Sequence, residues 1–225
     1  DLGFDCENVF FRTQIDKFKN AHIHISVDAS SSMMDKWKRT MTTVVAMAKA
    51  ASMVNNLGVT ISFRSGAVLN KRDVFRHNEM PYIVLAYDSR VDKFSKVQQL
   101  FPLLNPHGST PEGLAFEAIL ETIPATTSDL DSYFVNLSDG EPMFSLGYFG
   151  AVAHAHTQRQ VNKIRESNIE VLSYFVEVKG ISNTRVDTNM AAFKTMYGKD
   201  AQLIDVNNVT EIAKTMNKKF LQKSD

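Results

Sequence analysis

The sequence contains a single cysteine, Cys6, and therefore cannot form a disulfide within the chain. Together with ten methionines, this scarcity fits a reducing compartment, and we expect a cytoplasmic location. Net charge is also lacking, because 25 Lys and Arg residues balance 25 Asp and Glu residues. Without a bulk electrostatic field, neither nucleic acid nor a membrane surface is expected as a partner.

Long apolar runs and internal repeats are absent too, and no segment is apolar for long enough to cross a bilayer. The first residues include no initiator Met and do not resemble a signal peptide, so we expect a processed or excised piece. The 225 residues suffice for one large domain with a full core. We expect an N-terminal extension over residues 1–20 and a single domain over residues 21–225.

Short apolar runs alternate with helical patterns along the chain. Strands are predicted over residues 22–27, 59–63, 82–87, 133–137, 170–176 and 201–205. Helices are predicted over residues 33–56, 92–101, 110–122, 151–167 and 186–197, with a last helix from residue 208. The polar and basic residues 64–80 are interpreted as a solvated loop or short hairpin. This alternation predicts an α/β fold: a doubly wound, mostly parallel central sheet with helices on both faces.

Oxygen-bearing side chains follow three of the predicted elements. Asp28, Ser30 and Ser32 come directly after the first strand, Thr110 lies in a loop with two prolines, and Asp139 follows the fourth strand. Loops at the carboxyl ends of parallel strands converge on one crevice in such sheets. Hydroxyl and carboxylate oxygens suit a hard divalent cation, Mg²⁺ first and Mn²⁺ or Ca²⁺ as substitutes.

The pattern Asp28-x-Ser30-x-Ser32, with the later Thr110 and Asp139-Gly140, resembles the metal-ion-dependent adhesion site of von Willebrand factor A (vWA) domains. All five positions carry the expected residue types in the expected order, and the resemblance covers about residues 20–222. The segments around Thr110 and Asp139 are similar to the intracellular branch of the family. Within it they most resemble the vWA-bearing cobaltochelatase subunit that works with an AAA+ ATPase, and its phage-encoded relatives.

The resemblance implies a role for each residue. Ser30, Ser32 and Thr110 would bind the cation directly, while Asp28 and Asp139 would act mostly through water. A Glu or Asp from a partner protein would complete the coordination sphere. The implied function is therefore a non-catalytic, metal-dependent protein-binding module, with an AAA+ ATPase as a partner if the narrower resemblance holds.

Other interpretations of these residues stay open. Asp28, Ser30 and Ser32 could cap the first helix, Thr110 could cap its own helix, and Asp139-Gly140 could form a turn. An Asp after the first strand with Mg²⁺ also describes haloacid-dehalogenase-type phosphatases, in which Asp28 would be the nucleophile. However, Ser30 stands where that class has an acid/base Asp. A third alternative is a structural scaffold without a bound ion.

The histidines are weaker candidates. His22 and His24 alternate along the first strand, so we expect both on one buried face with packing or hydrogen-bonding roles. His154 and His156 are two residues apart and do not share a helix face, and His107 is expected to be exposed.

Overall fold

The computed structural model describes residues 19–68, 79–145, 147–177 and 183–205. The strands are β1 Asn20–Asp28, β2 Leu57–Val68, β3 Glu79–Asp88, β4 Leu130–Ser138, β5 Met143–Phe144, β6 Tyr148–Phe149, β7 Glu170–Glu177 and β8 Ala201–Asp205. The α-helices are α1 Trp37–Ala51, α2 Ser95–Leu100, α3 Glu112–Leu120, α4 Gly150–Glu166 and α5 Asn183–Tyr197. Short 3₁₀ turns lie at Ser31–Met33, Phe101–Leu103 and Gly198–Asp200.

Six strands form one sheet in the order β3-β2-β1-β4-β7-β8, and β3 alone runs antiparallel to its neighbour. The chain winds outward from β1 to β2 on one side and from β4 to β7 on the other. The strand order therefore reverses between β1 and β4, and the loops after these two strands open a crevice at the carboxyl edge. The predicted mostly parallel α/β sheet is confirmed.

Alternating side chains divide the core between the two faces of the sheet. On one face, Val135 and its neighbours pack with α1 and α2, through residues such as Met41 and Val97. On the other face, Phe134 packs with α3, α4 and α5, through residues such as Phe116 and Phe193. Burial on both faces is clear in β7, where every residue from Val171 to Val176 is buried, whereas buried polar and apolar residues alternate along β1.

The first helix differs from its prediction at both ends. A 3₁₀ turn precedes it, α1 begins only at Trp37, and it ends at Ala51. Leu57 and Gly58, which follow the predicted range, already belong to β2. One face of α1 packs into the core, since Trp37, Met41, Val44 and Ala48 are buried and Val45 is partly buried.

Of the two alternatives for residues 64–80, the hairpin is confirmed where residues 64–68 of β2 pair antiparallel with residues 79–83 of β3, and the solvated loop is wrong for the first residues. Arg64 lies in β2 and is fully buried, so a solvated side chain at this position is excluded. The predicted buried strand over residues 82–87 is also corrected: β3 is an antiparallel edge strand, and Val84 and Leu85 are exposed. An edge strand lacks a neighbour on one side, and an apolar run alone does not reveal that.

Other boundaries shift by a few residues. The helix expected from Thr110 begins at Glu112, and Thr110 makes no side-chain cap there, because Pro111 stands at the cap position. The expected extension up to residue 18, the basic residues Lys71, Arg72 and Arg76, and the last helix lie outside the described residues. Among the described helices, none is long and apolar enough to cross a membrane.

Candidate metal centre

Asp28 is the last residue of β1 and is completely buried at the switch point of the sheet. Its Oδ1 accepts a hydrogen bond from the backbone N–H of Ser30 at 2.8 Å, and its Oδ2 accepts one from the Ser138 hydroxyl at 3.0 Å. Burial is the main cause that raises the pKa of the Asp28 carboxyl, while the nearby Arg64 guanidinium lowers it. The carboxylates of Asp139 and Glu112 add to the upward shift.

A chain of side-chain hydrogen bonds joins the first and third loops. The hydroxyls of Ser30 and Ser32 lie 2.9 Å apart, and the Ser32 hydroxyl donates to Asp139 Oδ1 at 2.8 Å. The ammonium group of Lys36 donates to the other oxygen, Asp139 Oδ2, at 2.9 Å. The same ammonium lies 3.8 Å from Glu177 at the end of β7. The two serines and Asp139 therefore converge, and the Lys36 ammonium neutralises the Asp139 carboxylate.

Backbone hydrogen bonds hold the second loop against the first. The N–H of Ser31 donates to the carbonyl of Gly108 at 3.0 Å, and the N–H of His107 donates to the carbonyl of Ala29 at 2.8 Å. Gly108 has a φ of +78°, and a Cβ there would lie 1.9 Å from the Gly66 carbonyl oxygen, so only glycine allows this approach. Two residues later, Thr110 is buried.

A buried ion pair lies beneath these loops. The Arg64 guanidinium donates to Glu112 Oε1 at 2.6 Å and to the Ser26 hydroxyl at 3.0 Å, and both charged side chains are fully buried. The guanidinium carbon also lies 5.2 Å from the centre of the Phe116 ring. Arg64 therefore fixes the start of α3, two residues after Thr110, against the end of β2.

The network continues to α5. The Asn136 amide donates to Glu112 Oε1 at 3.2 Å and to the Tyr197 hydroxyl at 2.9 Å. Burial raises the pKa of Tyr197 well above its ordinary value, and the Glu112 carboxylate adds to the shift. The loop that carries Thr110 is thus connected through buried polar groups to α5, which packs on the same face of the sheet as α3.

The donor set fits a hard cation bound mainly by hydroxyl groups. Within the described part of the chain, no group of three or more His, Cys, Asp or Glu side chains could hold a metal. A metal centre here would therefore depend on Ser30, Ser32 and Thr110, with Asp28 and Asp139 supplying the charge. Few protein ligands and several waters are the arrangement that Mg²⁺ accepts.

The alternative roles of these residues differ in their support. Ser30 stands at the cap position of the 3₁₀ turn without a side-chain cap bond, and Lys36 precedes α1, so side-chain capping does not explain the serines. Asp28 is buried with both oxygens engaged, an arrangement that orients a carboxylate rather than exposing it to a substrate. The phosphatase alternative gains no support from this geometry and stays a prediction.

The histidine predictions can be compared with the structure directly. His22 and His24 lie on one face, with Nε2 atoms 3.1 Å from the Thr60 hydroxyl and 2.8 Å from the Ser62 hydroxyl, as expected for hydrogen-bonded core residues. His107 is exposed and stacks on Tyr82, as expected.

Sequence reasoning missed several residues of this centre. Lys36, Ser138, Glu112 and Glu177 were not singled out, and Arg64 was assigned to a loop. The position of Ser138 beside Asp139 was the one available signal, because it ends the strand that leads into the third loop. The others act through contacts between residues far apart in sequence.

Comparisons with known proteins show similarity in structure only. No family model matches the sequence, and no curated protein matches it. The pilus adhesin SpaC from Lactobacillus rhamnosus GG, in its open conformation, aligns with a TM-score of 0.64 at 13% identity, over 92% of this chain and 30% of that chain. The PilB minor pilin from Streptococcus sanguinis aligns with a TM-score of 0.59 at 14% identity, over 93% of this chain and 62% of that chain.

Proximal thread matrix protein 1 from the mussel byssus aligns with a TM-score of 0.55 at 13% identity, over 88% of this chain and 45% of that chain. The present chain thus spans less than two thirds of each of these three proteins. Identities this low establish the fold alone. The chain therefore shares an α/β fold with these proteins, which here has a six-stranded, mostly parallel sheet.

Proposed function

We propose that this chain is a metal-dependent protein-binding module. Asp28, Ser30, Ser32, Thr110 and Asp139 would hold Mg²⁺, or Mn²⁺ or Ca²⁺ in its place, and a Glu or Asp of a partner protein would complete the coordination sphere. The observation that carries the proposal is the hydrogen-bonded chain from Ser30 through Ser32 to Asp139 at the switch point. The structural similarity to a pilus adhesin supports a binding role rather than a catalytic one.

The chemistry of this donor set favours an acidic partner. Hydroxyl ligands bring no formal charge, so a cation held by them stays electrophilic and attracts an additional carboxylate. Lys36 adds a second positive charge beside the site. This chain's residues would orient the cation and leave one coordination position for the partner.

The narrower resemblance extends the proposal to an AAA+ ATPase as the partner, within a chelatase-like or remodelling assembly. That extension is tested separately, by measuring the ATPase rate of a cobaltochelatase-type AAA+ subunit with and without this chain. A rate that is unchanged at saturating chain concentration would remove the AAA+ partner and leave the metal-dependent module intact.

The first prediction concerns the metal itself. Calorimetric titration of Mg²⁺ and of Mn²⁺ into chelator-treated protein is expected to show one site, which Asp28→Ala abolishes because the charge and the Ser30 anchor are both lost. Asp129→Ala, at an exposed aspartate far from the crevice, is the matched control and should bind normally. A folded Asp28→Ala protein with unchanged Mg²⁺ affinity would refute the site assignment.

A further inference from the structure

A short β-hairpin lies directly beside Thr110. The backbone N–H of Thr110 donates to the Met143 carbonyl at 2.9 Å, and the N–H of Met143 donates back to the Thr110 carbonyl at 3.0 Å. Within the hairpin, Met143 pairs with Phe149. Thr110, Met143 and Phe149 thus lie side by side on three neighbouring antiparallel segments. The first of these residues is a proposed metal ligand.

The side chains of Met143 and Phe149 point outward from the molecule. Residues that pair directly across an antiparallel ladder stand on the same side, and adjacent residues alternate. Phe144 and Tyr148 occupy the inner side: a Cβ on Gly66 would lie 2.9 Å from the Phe144 ring, and the Tyr148 hydroxyl lies 3.0 Å from His156 Nδ1. Met143 and Phe149 are each 61% exposed.

The position of this ladder sets a distance from the metal centre. Adjacent strands lie about 4.8 Å apart, so Met143 and Phe149 are roughly 5 and 10 Å from Thr110 across the ladder. An extended peptide advances about 3.3 Å per residue. In a partner segment whose carboxylate lies at the metal, the residues one to three positions from that acidic residue would therefore lie beside Met143 and Phe149.

We infer that the exposed side chains of Met143 and Phe149 form an apolar docking strip for the same partner, and select an acidic protein segment with an apolar residue within three positions of its Glu or Asp. This inference rests on the proposed function. The positive charges of a bound cation and of Lys36 would select the acidic residue, while the strip would select the apolar residue near it. Burying one apolar side chain changes affinity by about tenfold or more, enough to discriminate between acidic segments.

The test uses displayed random octapeptides selected on the immobilised chain in Mg²⁺ and released with chelator. The wild type is expected to enrich peptides in which an acid has an apolar residue within three positions. The Met143→Ser/Phe149→Ser variant should keep the acid and lose the apolar preference. Met53→Ser/Val54→Ser removes a similarly exposed apolar pair at the opposite end of the sheet and should behave as the wild type.

One enriched peptide is then synthesised with its apolar residue and with Ser in that place. Serine should weaken binding to the wild type by about tenfold and to Met143→Ser/Phe149→Ser by less than twofold. Acid enrichment without an apolar neighbour overturns the strip and leaves the proposed function standing. Chelator-insensitive or absent enrichment overturns both. If the strip instead joins two copies of this chain, sedimentation will show a dimer for the wild type and a monomer for Met143→Ser/Phe149→Ser. That result also overturns the inference.

Discussion

At the scale of the residue, the centre is a balance between carboxylates and a few cationic groups. Asp28 and Glu112 are completely buried, Asp139 is nearly so, and the positive charges nearby belong to Arg64 and Lys36. Buried carboxylates are costly unless they are paired. The two cations differ in role, because Arg64 is enclosed in the core while Lys36 lies near the mouth of the crevice.

Lys36 competes with a bound cation for Asp139. Its ammonium contacts Asp139 Oδ2 and repels a divalent ion at the same carboxylate. Lys36→Met should therefore raise the Mg²⁺ affinity roughly tenfold, as measured by calorimetry. Lys38→Met, at an exposed position in the first turn of α1, is the control and should change little. Weaker Mg²⁺ binding in Lys36→Met would show instead that the lysine positions Asp139 for the metal.

Arg64 and Glu112 should behave as a coupled pair. Arg64→Met leaves Glu112 charged, buried and without its guanidinium, which should cost about 3–5 kcal/mol of unfolding free energy in urea titrations. The double variant Arg64→Met/Glu112→Gln removes the charge yet keeps an acceptor for Asn136, and should recover a large part of that loss. Additive losses in the double variant would mean that the two side chains are energetically independent.

At the scale of the element, β1 carries its polar residues in one row. His22, His24 and Ser26 alternate with apolar residues and hydrogen-bond to Thr60, Ser62 and Arg64 of β2. Each bond joins a residue of β1 to the residue of β2 that lies two positions beyond its directly paired partner, on the same face of the sheet. The row leads to Asp28, so the first strand connects the hydrogen-bonded histidines to the metal loop.

This row makes stability depend on pH. Burial lowers the pKa of His24 to about 3, and the adjacent His22 adds to the shift. The unfolded chain takes up a proton near the ordinary value of 6.5 and the folded chain does not, so stability falls as pH drops from 6.5 towards 3. Between pH 7 and pH 5 this one group should cost about 2 kcal/mol.

His24→Gln keeps a polar side chain but cannot titrate. In urea unfolding at pH 7 and pH 5, the variant should lose about 2 kcal/mol less than the wild type over that interval. His107→Gln, at an exposed histidine, is the control and should follow the wild type. Equal losses in His24→Gln and the wild type would show that His24 is protonated in the folded protein.

Much of the architecture could be predicted from periodicity, and the failures have physical reasons. The short strand at residues 201–205 and the helix near residues 151–167 match their predictions, since burial imposes a clear pattern on them. The edge position of β3 and the hairpin β5–β6 were missed, because pairing between strands is a long-range property. The side chains of Asp28, Ser30, Ser32, Thr110 and Asp139 were predicted to converge. Hydrogen bonds join four of these residues, while the hydrogen bonds shown for Thr110 are those of its backbone to Met143. Lys36 and Glu177 were not predicted.

At the scale of the whole molecule, the topology itself places the centre. The sheet winds in opposite directions from β1 and β4, so the loops that follow these strands meet at the carboxyl edge. Helices pack on both faces of the sheet, and the β5–β6 hairpin pairs with Thr110. The expected cytoplasmic location and the expected single domain over residues 21–225 stay predictions.

The most direct test of the central claim is an anomalous difference map from crystals of this chain grown with Mn²⁺. The account predicts one strong peak between the β1 and β4 loops, within coordination distance of the hydroxyls of Ser30, Ser32 and Thr110. The side chains of Asp28 and Asp139 should lie around the ion, with Lys36 displaced from Asp139. A map with no peak at this point at saturating Mn²⁺, or a peak bound elsewhere on the chain, would contradict the account.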